Sequence, residues 1–218
     1  MVMRNAPPLL VLLVVVCAGT GTAQAQDLEP RRWTQLPVGT NILGAGYEVR
    51  IGDIRFDPAL RISDATFTLH TAALAYGRYF DLWGRTARFD CQLPFQTGDW
   101  RGLVDGKSTS VSRTGLADPR LRFSVNLIGA PSVSAAEYAE YIRNHNERTT
   151  VGAALAVRLP LGDYNDEKLI NLGHNRFTIR PELGILHTRG PWSFELTGST
   201  FLYTKNDDFF GGNSLEQD

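Results

Sequence analysis

Cysteine is nearly missing: Cys17 and Cys91 are the two in 218 residues. Cys17 falls in a leader-like segment, so an exported chain keeps Cys91 alone, which excludes an intramolecular disulfide framework. A dominant sign of charge is missing too. Lys and Arg total 22 against 23 Asp and Glu, for a formal net charge of -1. That balance excludes bulk nucleic-acid binding and a polybasic membrane patch. After the leader, no apolar run approaches the ~20 residues of a membrane helix. If the exported chain crosses a membrane, it must do so with strands closed into a barrel. No Gly-x-Ser-x-Gly elbow and no EF-hand spacing are found. No enzyme activity, metal or cofactor is expected.

What is present begins with Met1 to Ala25, which reads as a secretory signal peptide. Arg4 supplies the basic end, Leu9 to Ala18 the apolar stretch, and Ala23-Gln-Ala25 a small-x-small cleavage site. Cleavage removes Arg4 and no acid, so the net charge moves from -1 to -2. Residues 26–38 form a polar lead-in containing Arg31, Arg32 and Trp33, and residues 39–218 form the main domain.

That domain alternates with period two. In Asp118 to Ile128, Leu121, Phe123, Val125 and Leu127 oppose Arg120, Arg122, Ser124 and Asn126. This is a strand with one apolar and one charged face. The same pattern predicts strands over 41–51, 64–80, 87–95, 149–159, 175–187 and 192–204. A short helix is expected over Ala135 to Arg143, because Ser134-Ala-Ala-Glu137 is a capping box. Gln96 to Leu116, Leu161 to Gly173 and the last fourteen residues read as polar loops.

Two architectures accept such strands: a soluble sandwich, with apolar faces inward, and a membrane barrel, with apolar faces toward lipid. Three features favour the barrel. Charge sits at mid-strand. Tight turns (Asp81 to Arg85, Arg189 to Pro191) alternate with long connections. Aromatics, including Tyr79, Phe80, Trp83, Phe95, Trp100, Trp192 and Tyr203, gather near strand ends like an interfacial girdle. The fold expected is all-β, an antiparallel up-and-down transmembrane β-barrel of about seven strands. Because single-chain barrels have even strand numbers, it reads as an open, truncated sheet whose first and last strands do not pair.

The chain resembles the outer-membrane proteins of the phenol meta-degradation family. The stretches carrying the resemblance are Leu36-Pro-Val-Gly-Thr-Asn41, Phe80-Asp-Leu82 with Gly84-Arg85, Thr97-Gly-Asp-Trp100 and Gly115-Leu-Ala-Asp-Pro-Arg-Leu-Arg122. They continue with Pro160-Leu-Gly-Asp163, Lys168-Leu-Ile-Asn-Leu-Gly173, Arg180-Pro-Glu-Leu-Gly184 and Asn206-Asp-Asp-Phe-Phe-Gly-Gly212. The resemblance implies an outer-membrane location and a channel or transporter for small molecules, aromatic compounds among them. The partners implied are outer-membrane lipid and a small solute whose identity the family does not fix. The competing functions are a soluble periplasmic β-sandwich or lipocalin-like binding protein, and a structural barrel with no transport role.

Polar-face residues are the candidates for a lumen: Glu48, Arg50, His70, Arg78, Arg88, Asp90, Asp118, Arg120, Arg122, Arg158, Arg176, Arg180, Glu182 and Glu195. Arginine forks there suit carboxylates or phenolates. The plainer reading, which the composition favours, is a salt-bridge network filling a narrow barrel. A hydrolytic set of Ser124, His70 and Asp90 has suitable residue types but no supporting motif. Cys91, between Phe89 and Leu93, is expected to face lipid.

Overall fold

The computed structural model describes residues 10–18, 32–56 and 60–216. Its strands are β1 (Leu10–Ala18), β2 (Asn41–Ile54), β3 (Ile62–Leu82), β4 (Arg85–Val104), β5 (Lys107–Leu116) and β6 (Arg120–Ile128). After helix α1 (Ala135–Asn144) come β7 (Glu147–Arg158), β8 (Thr178–Arg189), β9 (Trp192–Ser199), β10 (Leu202–Tyr203), β11 (Asn206–Phe209) and β12 (Asn213–Leu215). β2, β3, β4, β6, β7, β8 and β9 follow one another as an antiparallel meander. They form an open half-barrel of seven strands, and no pairing among the described residues joins β2 to β9. The expected open sheet is therefore found. Its β2 edge is not bare, because β1 lies parallel along it from Leu10 opposite Asn41 to Ala18 opposite Val49. The remainder of the expected signal peptide lies outside the described residues.

The burial of the faces is inverted relative to a soluble protein. Leu43, Leu74, Leu93, Phe123, Leu155 and Leu183 are exposed, while Arg122, Ser124, Asn126, Arg180 and Glu182 are buried. An apolar outer belt around a charged interior is the barrel solution and the reverse of a sandwich. A direct test is Leu155→Arg, at a position 46% exposed on the outer face of β7. In a chain folded into bilayers this change will cost about 2–4 kcal/mol, read as a shift in urea unfolding. A soluble sandwich with this side chain facing water would lose almost nothing.

β3 and β4 are 21 and 20 residues long, about twice what a tilted strand needs to cross hydrocarbon. The surplus corrects the expected loop over Gln96 to Leu116. That stretch is the upper half of β4 followed by β5, joined at Asp105-Gly106 with φ of 49° and 76°. Two consecutive positive φ values make the turn that matches strand twist in a two-residue hairpin. The hairpin was illegible because, above the membrane, neither face must be apolar. β5 then kinks at Ala117–Pro119 into β6. The polar C-terminal stretch likewise contains a small hairpin, β11–β12.

The cross-strand register also corrects β3. His70 pairs with Val49, and Arg78 with Asn41 and Phe89, so both share the outer face with Leu43 and Leu74. In the lower half of β3 the inward residues are Ala73, Ala75, Gly77 and Tyr79. Above them Phe67 and Leu69 point inward, and Thr66, Thr68 and His70 outward. The pattern reads backwards there because the upper half of the strand has left the lipid band. Tyr79, Trp100 and Tyr203 turn inward rather than joining a girdle, whereas Trp83 and Trp192 stay outside, 90% and 68% exposed. Pro181, which alternation alone does not explain, sits where the ladder breaks between the Glu182–Ser199 and Ile179–Leu202 pairs. Its carbonyl still accepts from the Thr200 N–H at 3.4 Å, and its missing donor faces the same irregular step.

Candidate functional site in the lumen

Three transverse rows of inward residues make the site. The first runs Gly77, Asp90, Arg122, Ala156, Arg180 across β3, β4, β6, β7 and β8. The second runs Tyr79, Arg88, Ser124, Ala154, Glu182, Ser199. The third runs Asn126, Gly152, Gly184, Thr197. The alanines of β7 leave room for the longer side chains on either side to converge.

They converge on Glu182. Its Oε2 accepts from Arg32 Nη1 at 2.7 Å and Arg122 Nε at 3.1 Å, and its Oε1 accepts from Arg180 Nε at 2.8 Å. Arg88 Nε donates to Asp90 Oδ1 at 2.6 Å, and Arg122 Nη1 lies 3.7 Å from Asp90 Oδ2. Arg88, Asp90, Arg122, Arg180 and Glu182 are thus one network, as the salt-bridge reading expects.

Arg32 belongs to this network, and polar-face reasoning missed it. The lead-in segment runs inside the barrel. Trp33 is 1% exposed and covers Gly152 and Gly184. Its Nε1 donates to Thr197 Oγ1 at 2.9 Å, and the Arg122 guanidinium stands 5.2 Å from its ring. Gln35 Nε2 donates to the Pro131 carbonyl at 2.5 Å, and Tyr79 Oη to the Thr34 carbonyl at 3.3 Å. Helix α1, capped by Ser134 and Glu137 as predicted, adds a bond from Tyr138 Oη to the Gln35 carbonyl at 2.9 Å. The signal in the sequence was paired: a lone tryptophan in a polar lead-in, and two inward glycines where only a close approach accounts for the missing side chain.

The other candidates scatter. Glu48 and Arg50 pair with each other at 2.8 Å and are half exposed. Arg120 and Arg158 are cross-strand neighbours on the inner face. Arg176 lies over Tyr203 at 4.4 Å, beside Arg180 over Phe201 at 5.3 Å. Glu195 accepts the backbone N–H of Arg32 at 3.1 Å. His70 bonds Tyr47 Oη at 2.6 Å on the outer face, so His70 and Arg78 are not lumen residues. Ser124 and His70 lie on opposite faces of the sheet, which removes the hydrolytic set. Cys91 pairs with Tyr76 and Leu121 on the outer face, as expected.

Asp118 is a loop anchor rather than a lumen charge, because it sits in the kink between β5 and β6. Its Oδ1 accepts the Gly162 N–H at 3.0 Å, and its Oδ2 accepts the His174 N–H at 2.9 Å and meets His174 Nδ1 at 2.9 Å. Burial pushes its carboxyl upward, but the bonds from His174 and Gly162 outweigh burial and hold it below its ordinary value. A depressed carboxyl stabilises above the unfolded pKa and loses that contribution as pH falls through the folded one. Amide protection across residues 159–177, taken relative to the intrinsic exchange rate at each pH, will therefore be high at neutral pH and fall under acid. Asp118→Asn will show the lowered protection already at neutral pH.

Two cavities flank the network. One of about 140 Å³, near the outer mouth, is lined by Phe56, Ile62, Trp100, Val111, Leu169 and Ile170 among others. One of about 180 Å³ lies between β2, β3, β4 and β6.

The family model described as "Putative MetA-pathway of phenol degradation" matches residues 59–218. Among solved structures, an outer membrane channel from Pseudomonas putida F1 is similar, with a TM-score of 0.59 at 21% identity. The match covers 88% of this chain and 66% of that one, so the chain spans just under two thirds of its solved neighbour. No curated protein matches the chain.

Proposed function

The chain belongs to the family described as putative MetA-pathway of phenol degradation, and from that premise we propose that it acts in the outer membrane as a channel for small molecules, aromatic compounds among them. The observation that carries this reading is the inverted burial: an exposed apolar belt around a buried charged interior. The neighbour's description as an outer membrane channel supports it. The resemblance to a phenol-degradation family supports aromatic solutes. The lead-in segment and the Glu182 network then set the width of the path. Met1 to Ala25 acts as the leader for delivery, and its removal takes β1 off the β2 edge. A second reading, a structural barrel without transport, draws on the way Arg32 and Trp33 pack the lumen.

Two measurements separate these readings. Fractionation of cells expressing the full-length gene product will place it in the outer membrane; recovery from the periplasm as a soluble protein would sink both. Liposomes holding the full-length gene product, with its sheet closed, will swell in small aromatic solutes. Insertion without permeability would leave the structural barrel.

A further inference from the structure

We propose that the apolar cavity at the outer mouth is a binding site for an uncharged single-ring aromatic compound. It lies on the inner side of the extension that β3, β4 and β5 raise above the lipid band. Trp100 and Val104 are in phase with Asp90 along β4, so their side chains point the same way as the lumen charges. Val111 pairs with Trp100, and Ile62 with Val104. The opposite face of the same sheet carries Thr68, Asp99 and Ser112 in one row. With water on both sides of the extension, apolar side chains gathered on one face need a cover. Leu169 and Ile170, from the loop between β7 and β8, supply it in part. Arg113 pins that loop, its Nε donating to the Ile170 carbonyl at 3.1 Å.

The cover leaves a space of about 140 Å³. The inward position between Trp100 and Val104 is Gly102, and the residue beside it on β3 is the small, buried Ala65. The Trp100 indole leans the other way. A Cβ at Gly98 would overlap its ring, so the ring lies over Gly98 and against Leu69, away from Gly102. The result is a small floor with one flat aromatic wall and aliphatic walls opposite. An apolar cavity of about 150 Å³ stays dry and takes up benzene, and a ring packs well against an indole.

The lining also selects against charge. It holds no carboxylate among the described residues. Arg113 already donates from Nε and Nη1 to the carbonyls of Ile170 and Ser112. Arg101 is out of phase with Trp100 and exposed, so its charge leaves by the other face. An uncharged ring gains contact with every apolar wall, whereas a carboxylate must give up its hydration beside them.

The test is fluorine NMR of the full-length gene product, labelled with fluorotryptophan and folded in detergent micelles. The Trp100 signal is identified by its loss in Trp100→Phe. Toluene will shift that signal saturably, with half-saturation at about 1 mM free toluene or below. Benzoate will need at least about tenfold more. Val111→Phe touches no charge; it will fill the cavity and abolish the shift while the band stays heat-modifiable. Ile170→Ala will thin the cover and weaken toluene about fivefold or more. A Trp100 signal that does not move by about 5 mM free toluene overturns the proposal. Equal affinity for benzoate, or wild-type affinity in both variants, overturns it as well. A signal that follows the length of the detergent tail instead of toluene assigns the cavity to an acyl chain and overturns it too. The inference rests on the channel reading for how the compound reaches the cavity. Toluene binding without liposome swelling would sink the channel alone, and swelling without a Trp100 shift would sink this site alone.

Discussion

Replacing Glu182 with Ala will destabilise the folded chain by about 3–5 kcal/mol, the cost of stranding buried charge without its partner. Glu182 is fully buried and meets Arg32, Arg122 and Arg180, whose side chains are 1%, 5% and 5% exposed. None of the three can reach bulk water without moving a strand or the lead-in segment. The measurement is urea unfolding of the chain in bilayers or micelles, followed by loss of the heat-modifiable band. Glu195 supplies the internal control. It also touches Arg32, but from the exposed edge strand β9 and through a single backbone donor. Glu195→Ala will cost about 1 kcal/mol or less. Equal losses at the two positions would mean that the network does not hold the lumen together.

Gly184→Val will expel the lead-in segment from the lumen. A Cβ at Gly184 would sit 1.9 Å from Trp33 Nε1 and 2.3 Å from Cε2, far inside contact distance. Gly184 is paired on both sides, to Gly152 and Thr197, so its backbone has nowhere to retreat. The indole must leave, taking with it the bond to Thr197 and the approach of Arg32 to Glu182. The readout is limited trypsin digestion. Arg32, 3% exposed in the native chain, will be protected there and cut rapidly in the variant. Gly198→Val is the comparison, since nothing lies within 4 Å of its Cβ position; it will leave Arg32 protected. Protection of Arg32 in both variants would show that the segment is not held by the Gly152–Gly184 groove.

The membrane-spanning parts of the sheet were legible because lipid imposes a simple rule. Between the interfaces every outward residue must be apolar, so β6, β7 and the lower half of β4 alternate cleanly. The same rule fails where it stops applying. Gln96 to Leu116 is a hairpin above the lipid band, with no apolar face to betray it. The upper half of β3 inverts its pattern, which placed His70 on the wrong face; Arg78, lower on the same strand, is a charge on the outer face near the short-turn end. Asp118 looked like one more strand charge because its role depends on Gly162 and His174, 44 and 56 residues away.

The sequence by itself determined the strands, their two faces and the capped helix, because period-two alternation and a capping box are local consequences of backbone geometry. It also determined which charges were available to the interior. Only the tertiary structure decided that Arg32 joins Arg122 and Arg180 on one carboxylate, and that Trp33 lies in the groove of Gly152 and Gly184. Those contacts join residues about 90 to 165 positions apart in a chain that must first curl, and hydrophobic periodicity carries no record of which distant side chains a curved sheet brings face to face.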